Sequence, residues 1–378
     1  MTPSTEAELA EAVLGATGPL AITGGGTRPI GRPVEGVSLS TSSMTGITLY
    51  EPGALTIVAQ AGTSLAEIAV ALAAENQRLA FEPMDHRGLL GTTGTPTIGG
   101  VVAANVSGPR RIQSGAARDF VLGVRFVDGA GTIIKNGGRV MKNVTGYDLV
   151  KLFCGSWGTL GVMSEVSLKV LPQVAAGATV TVDGLDDATA VRAMAAALGS
   201  PFEVSGAAHV PESLGALAGT HLRIEGFASS VAYRAEQMKA VLGPFGPVRI
   251  EADPDASAAL WAGLRDVSPY HGTSGDVWRL SVKPSDAPHL VARLPDAAQA
   301  RAFYDWGGGL IWVECLPDTD LRAVLGPFAG HATLVRAGAP TRAAIAPFHP
   351  EPAPIAALTA GLRARFDPRG ILNPGRMG

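Results

Sequence analysis

Pro19-Leu20-Ala21-Ile22-Thr23-Gly24-Gly25-Gly26-Thr27 runs a short apolar strand straight into three glycines and a threonine. Residues without Cβ let successive backbone N–H groups turn toward one point, a nest for an anion such as a pyrophosphate, and Thr27 adds a hydroxyl. Alone, the stretch reads equally as a surface turn. Two other phosphate loops are excluded. Pro29 stands at the third glycine position of a dinucleotide fingerprint, with strands rather than a helix expected next, and no Gly-Lys-Ser/Thr follows as a P-loop requires.

Three further glycine-rich elements lie downstream. Pro96-Thr97-Ile98-Gly99-Gly100 opens a small-residue segment predicted to be helical, whose unpaired N–H groups suit an anionic or flat ligand or, as well, tight packing on a sheet. Ser107-Gly108-Pro109-Arg110-Arg111 through Gly115-Ala116-Ala117-Arg118-Asp119 sets three arginines among glycines, fit for phosphate, for a carboxylate, or for a solvated loop with an Arg118–Asp119 contact. Gly155-Ser156-Trp157-Gly158-Thr159-Leu160-Gly161 precedes a strand. Four such elements without a metal or nucleophile motif favour a large, extended, phosphate-bearing cofactor. Composition does not choose a flavin over another dinucleotide.

The whole chain fits that reading. Its 378 residues predict two or three domains, and with 46% hydrophobic and 17% charged residues it buries a large core. A net charge of −3 argues against nucleic acid as partner. Cys154 and Cys315 are too few for a disulfide framework or an iron–sulfur cluster, and two buried thiols in a cytoplasmic protein are expected. The acidic N-terminus predicts no signal peptide, and no stretch of 18 apolar residues predicts a transmembrane segment.

Hydrophobic periodicity predicts a helix over 5–15, strands at 19–23, 47–50 and 55–61, and a helix capped by Ser64 with Glu67 three positions on. A hairpin over 121–135 turns at Asp128-Gly129-Ala130-Gly131, Asp148 caps a helix to 153 after a buried Tyr147, and a strand covers 161–171. After Pro172 helices and strands alternate: strand 178–182, helix 186–198, strands 203–210 and 220–227, helix 229–242, then strand 277–282, helix 285–294, strands 301–305 and 309–316, and helix 319–325. That order predicts an antiparallel sheet with helices on one face, ferredoxin-like. A Pro-rich stretch from 340 leads to a helix over 355–366 and a tail, Asn373-Pro374-Gly375-Arg376. The fold class is α+β.

Taken together these residues resemble a known family. Ile22 to Thr27, Val58-x-x-Ala61-Gly62-Thr63-x-Leu65-x-Glu67-Ile68, Thr97 to Gly100 with Asn105 and Gly108, Gly115-x-x-Arg118-Asp119-x-Val121-Leu122-Gly123, Gly155 to Gly161 and the Asn373–Arg376 tail are similar to the FAD-binding domain of the vanillyl-alcohol oxidase/p-cresol methylhydroxylase (PCMH-type) superfamily. Gly108-Pro109-Arg110-Arg111, Val140 to Leu149 and Trp278-Arg279-Leu280-Ser281 further resemble the smaller, flavin-binding subunits of bacterial glycolate oxidases.

The resemblance implies a PCMH-type FAD domain of two α+β subdomains over 1–172, a ferredoxin-like cap over 173–340, and a segment over 341–378 that returns to the FAD domain. It implies FAD held by Thr23, Gly24, Gly25, Gly26, Thr27 and Arg28, by Pro96, Thr97, Ile98, Gly99 and Gly100, by Asn105, Gly108, Gly115, Arg118, Asp119 and Val121, and by Gly158, Gly161, Val162 and Asn373. It implies a complex with a larger FAD-containing subunit and an iron–sulfur subunit, oxidation of a small 2-hydroxy acid such as glycolate to glyoxylate, and a location that is cytoplasmic or peripheral on the inner membrane face through partners. A self-sufficient hydroxy-acid or alcohol dehydrogenase and a non-catalytic scaffold stay as alternatives.

The chain departs from the family pattern in three ways. Thr27 stands where covalent members carry His, so FAD is expected to bind non-covalently. Trp157 replaces a Glu of the active dehydrogenases. The seven histidines are scattered, so no metal site is expected. The catalytic residues are not defined; Arg279, suited to a carboxylate or to a cross-strand ion pair, and His221, a base or part of a solvated sheet face with Arg223 and Glu225, are the candidates. Trp306 and Trp312 are expected to pack within the cap or against a subunit.

Overall fold

Thr5 opens the first helix, α1 (Glu6–Leu14), by accepting a hydrogen bond from the Glu8 amide. Next comes a parallel pair, β1 (Leu20–Thr23) with β2 (Val37–Ser40). An antiparallel sheet starts with β3 (Ile47–Glu51) and β4 (Thr56–Gln60). Helix α2 (Leu65–Ala74), strand β5 (Gln77–Arg78) and the short helices α3 (Arg87–Leu90), α4 (Ile98–Ala104), α5 (Arg111–Ser114) and α6 (Ala117–Phe120) intervene. Strands β6 (Val121–Val127) and β7 (Ile133–Gly137), helix α7 (Leu149–Phe153) and strand β8 (Val162–Lys169) complete the sheet in the order β3-β4-β8-β6-β7. Strand β9 (Leu171–Pro172) pairs with β5. The structure, a computed structural model, describes residues 1–139 and 146–378, so Lys142 and Asn143 of the family motif lie outside the described residues.

Beyond β9 the chain builds one eight-stranded sheet from two βαββαβ units. The first is β10 (Ala176–Val182), α8 (Asp187–Leu198), β11 (Val204–Val210), β12 (Gly219–Gly226), α9 (Ala228–Leu242) and β13 (Val248–Glu251). Helix α10 (Pro254–Arg265) links it to the second: β14 (Asp276–Val282), α11 (Ala287–Val291), β15 (Arg301–Asp305), β16 (Leu310–Cys315), α12 (Leu321–Leu325) and β17 (Gly330–Arg336). The order β13-β10-β12-β11-β15-β16-β14-β17 is two ferredoxin-like sheets joined edge to edge at β11 and β15. The antiparallel cap expected from the alternation is thus a duplicated unit, with no repeated sequence to announce it.

Strand alternation divides the sheet's residues between two faces. Trp278, Leu280 and Tyr304 lie in a core with Met194 and Met238 of α8 and α9. Val277, Phe303 and Trp312 belong to a second core with Phe81, Phe126 and Phe153 of the N-terminal region. Between these layers lies a buried ionic cluster. Arg223 grips Glu82 with both terminal nitrogens at 2.9 Å, Arg110 Nε donates to Glu225 at 2.9 Å, and Arg78 reaches Glu225 at 3.3 Å. Burial pushes the Glu225 carboxyl up, but Arg223 and Arg110 more than offset this and hold it at about 2.

After α13 (Ala339–Ala344) and α14 (Ala353–Phe366) the tail reaches back to β1. The Leu20 amide donates to Ile371 O at 2.7 Å, and the Asn373 amide to Leu20 O at 3.1 Å.

Several expectations are corrected. Strands β13 and β17 and helices α10 and α13 were not anticipated, and the helix expected over 285–294 is only α11. Asp148 does cap α7, accepting from the Lys151 amide, but Tyr147 is 89% exposed, not buried. His221, Arg223 and Glu225 share a face that is covered by protein, not solvated.

Candidate functional site: a glycine-walled groove

A groove of about 340 Å³ runs from Gly99 and Gly100, at the start of α4, past the glycine loop to Gly161 and Val162. Close approach dictates the glycines. A Cβ on Gly25 would lie 1.6 Å from Thr95 O, one on Gly24 2.6 Å from Thr97 Oγ1, and one on Gly99 2.7 Å from Ala61. Gly26 adds a left-handed φ of 74° with open space around it. The loop therefore lies flat on the 95–100 segment and presents main chain to the groove. Among the described residues, no acceptor meets the amide N–H of Gly24, Gly25, Gly26 or Thr27. Thr97 caps α4, its hydroxyl accepting from the Gly100 amide at 3.3 Å.

Arginines surround this nest. Arg28 and Arg376 line the groove. Arg32 and Arg342 flank it: the Arg32 amide donates to Arg376 O at 3.0 Å, and the Arg342 guanidinium donates to Pro29 O. Each of the four keeps a buried guanidinium nitrogen with no partner among the described residues: Nη2 of Arg28, and Nε of Arg32, Arg342 and Arg376. Burial lowers the Arg28 pKa to about 10, with Asp85 opposing, and lowers that of Arg376, with Arg342 adding to it. Orphaned guanidinium donors around free amides are chemistry that a diphosphate satisfies. The residues present fit FAD.

The structure brings Thr23 to Arg28, Thr97, Gly99, Gly100, Gly158, Gly161 and Val162 together on the groove wall. Pro96, Ile98 and Asn373 support it from behind. Pro96 O accepts from the Leu65 amide at 3.0 Å, Ile98 is fully buried, and Asn373 bridges Ile22 and Trp157 O at 2.8 Å each. Asn105, Gly108, Gly115, Arg118, Asp119 and Val121 lie outside the groove lining. They build the loop beyond α4: Asn105 Oδ1 accepts from the Arg118 amide at 3.0 Å, and Asp119 from the Ala116 amide at 2.9 Å. Arg118 and Asp119 are exposed, 3.9 Å apart, the surface contact weighed from sequence.

His221 is not a groove residue, which corrects its place as a candidate base. Its ring is buried in the cap, with Nδ1 at 3.0 Å from Thr181 Oγ1 and Nε2 at 3.0 Å from Leu217 O. Burial lowers its pKa to about 4, against the Leu217 hydrogen bond. Among the described residues Arg279 makes no cross-strand ion pair: its guanidinium rests 5.1 Å from the centre of the Trp306 ring. Burial lowers both Arg279, to about 10, and His86, to about 3.

Sequence reasoning missed three groove features. Trp157 lines the groove at a φ of 53°, with Phe348 at 5.4 Å edge to face and the Arg376 guanidinium 5.9 Å from its ring centre. Arg376 was read only as part of a tail motif. Met163 enters because β8 alternates sides just after Gly161. Among the described residues, no three His, Cys, Asp or Glu side chains converge as metal ligands. Burial pushes both thiols up to about 12.

The fold is that of PCMH-type FAD-binding proteins. Residues 1–137 match the FAD binding domain family. The chain is 36% identical over 362 residues to "Glycolate oxidase subunit GlcE" of Escherichia coli K12, covering 95% of this chain and 92% of that one. A D-lactate dehydrogenase of Archaeoglobus fulgidus is 36% identical over 159 residues, 41% of this chain and 34% of that enzyme. Among solved structures, p-cresol methylhydroxylase superposes with a TM-score of 0.70 at 14% identity, over all of this chain and 88% of that one. Alkyldihydroxyacetonephosphate synthase superposes with a TM-score of 0.70 at 15% identity, over 99% and 76%. The chain belongs to the GlcE family of glycolate oxidase subunits, FAD-dependent oxidoreductases.

Proposed function

We propose that this chain binds FAD non-covalently in the groove and serves as a flavin-bearing subunit of an assembly that oxidises a small 2-hydroxy acid, glycolate first among them. The observation that carries this reading is the row of four free amides, Gly24 to Thr27, rimmed by Arg28 and Arg376. FAD when bound supplies the redox chemistry, accepting a hydride and releasing single electrons. The chain's own part is to hold the diphosphate, to seat the ring toward Gly99 and Gly100, and to shield it from water. Thr27 offers no nucleophile of the kind that links a flavin covalently.

In this reading residues 1–172 hold FAD, 173–340 cover it and 341–378 close the groove, with Asn373 and Arg376 as the closing residues. The assembly includes a larger flavoprotein subunit and an iron–sulfur subunit that takes the electrons. No helix among the described residues is long and apolar enough to cross a membrane, and attachment to the inner membrane face runs through partners.

The test is bleaching of the visible flavin band. The purified chain should be yellow, release intact FAD on denaturation, and lose its colour with glycolate once the larger subunit is added. A colourless chain that ignores added FAD would overturn the proposal.

A further inference from the structure

Two arginines lean on one indole where the eight-stranded sheet meets the N-terminal region. The Arg111 guanidinium lies 4.5 Å and that of Arg279 5.1 Å from the centre of the Trp306 ring. Arg279 comes from β14, on the face turned toward the N-terminal region, and Arg111 starts α5. Trp306 is held fast: its indole Nε1 donates to Gly108 O at 3.1 Å and its amide to Asp305 Oδ1 at 2.7 Å. It sits at a φ of 54°, a strained position for a bulky residue that persists only when its surroundings insist on it.

Among the described residues, neither guanidinium has a counter-ion. The carboxylates whose charge reaches them, Asp305 for Arg279 and Asp119 for Arg111, form no ion pair with them among the described residues. Burial lowers both guanidiniums; the Arg111 charge adds to this at Arg279, and the Arg118 charge adds to it at Arg111. Both arginines are half-buried and keep some accessible surface. His331 lies within reach of both charges, and His86, which Arg28 ties to the groove, within reach of Arg279. Two desolvated like charges without a partner are unfavourable until an anion arrives. An aromatic face offsets only part of that cost.

We propose that Arg111 and Arg279, propped on Trp306, form a carboxylate clamp that takes the anionic end of a small 2-hydroxy or 2-oxo acid. The clamp rests on the reading of this chain as a hydroxy-acid flavoprotein and deepens it, because a subunit with its own carboxylate site is built to meet substrate rather than only to hold an assembly together.

The experiment titrates the full-length, FAD-loaded chain with oxalate, an unreactive dicarboxylate, and follows both the flavin spectrum and tryptophan emission. Saturable binding is expected. Arg279→Gln and Arg111→Gln should each raise Kd at least tenfold while keeping the flavin band, Arg279→Lys should recover part of the loss, and Arg249→Gln, at an exposed ion pair, should change nothing. Unchanged oxalate affinity in both glutamine variants would overturn the clamp. So would inorganic phosphate competing as well as oxalate, since the site would then be a general anion basin. If oxalate binding needs both arginines but no 2-hydroxy acid ever bleaches the flavin, the clamp stands and the functional reading fails.

Discussion

Arg28 Nε donates to Nδ1 of His86 at 3.1 Å. An arginine only donates, so Nδ1 must be the bare nitrogen and the ring proton sits on Nε2. The 3.3 Å approach of Nδ1 to Met84 O is then a contact, not a hydrogen bond. Burial and the Arg28 charge lower the His86 pKa to about 3, so the ring stays neutral and acceptor-ready across the physiological range. A neutral histidine thus aims a cation at the groove without cancelling it.

His86→Leu should free Arg28 and weaken FAD binding. A hydrogen bond from a charged donor is worth roughly 1.5–3 kcal/mol, so the loss should be about tenfold or more. Titration of the apo protein with FAD, read by quenching of flavin fluorescence, checks it. An unchanged affinity would mean that Arg28 is positioned by its other neighbours.

Two glycines of the same loop should behave differently. Gly25→Ala places a methyl 1.6 Å from Thr95 O, so the loop must lift and FAD binding should be lost. Gly26→Ala meets no atom and incurs only the left-handed strain, roughly 1–2 kcal/mol. Comparing FAD retention and Tm in the two variants separates shape from strain.

Asp305 should make stability fall with rising pH. Burial raises its pKa to about 7 from 3.8. The folded state therefore binds the proton more tightly than the unfolded chain. The stability it contributes is full below about 3.8 and is lost as pH rises through about 7. Asp305→Asn keeps the acceptor for the Trp306 amide and should flatten Tm between pH 5 and 8 by an amount worth up to about 3 kcal/mol. Glu225, held at about 2, acts oppositely and lower: its contribution is present above 4.5 and disappears as pH falls toward 2. If Asp305→Asn and Glu225→Gln altered stability in the same pH window, the assignments would be wrong.

Glu82→Gln should be among the most destabilising polar changes. It leaves Arg223 and Arg110 buried with one carboxylate between them. Breaking one side of such a cluster typically costs about 3–5 kcal/mol. Urea unfolding with an unchanged m-value would report it as a loss of stability rather than of compactness.

Local chemistry made much of this molecule legible. Ser64 with Glu67 marked the start of α2, and the Ser64 hydroxyl accepts from the Glu67 amide at 3.0 Å. The glycine clusters at 24–26 and 99–100 marked the groove because close backbone contact demands glycine wherever it occurs. The alternation after Pro172 marked the first five elements of each βαββαβ unit and left out the closing strands β13 and β17. Asp253-Pro254 carried a readable signal for α10, a cap followed by proline at the first helical position, and it was passed over. What lay beyond reach is long-range. Glu82 meets Arg223 141 positions away, and nothing near Arg223 distinguishes that strand face from a solvated one. His221 looked free because its partners, Thr181 and Leu217, are named only by the fold. Arg111 and Arg279 come together only through Trp306, whose backbone conformation no propensity would assign.

The most direct test of the account is a crystal structure of the chain grown with FAD. The account predicts diphosphate oxygens within hydrogen-bond distance of the Gly24, Gly25, Gly26 and Thr27 amides, with Arg28 or Arg376 turned onto them. Flavin bound elsewhere, or those amides left facing solvent in an FAD-saturated crystal, would contradict it.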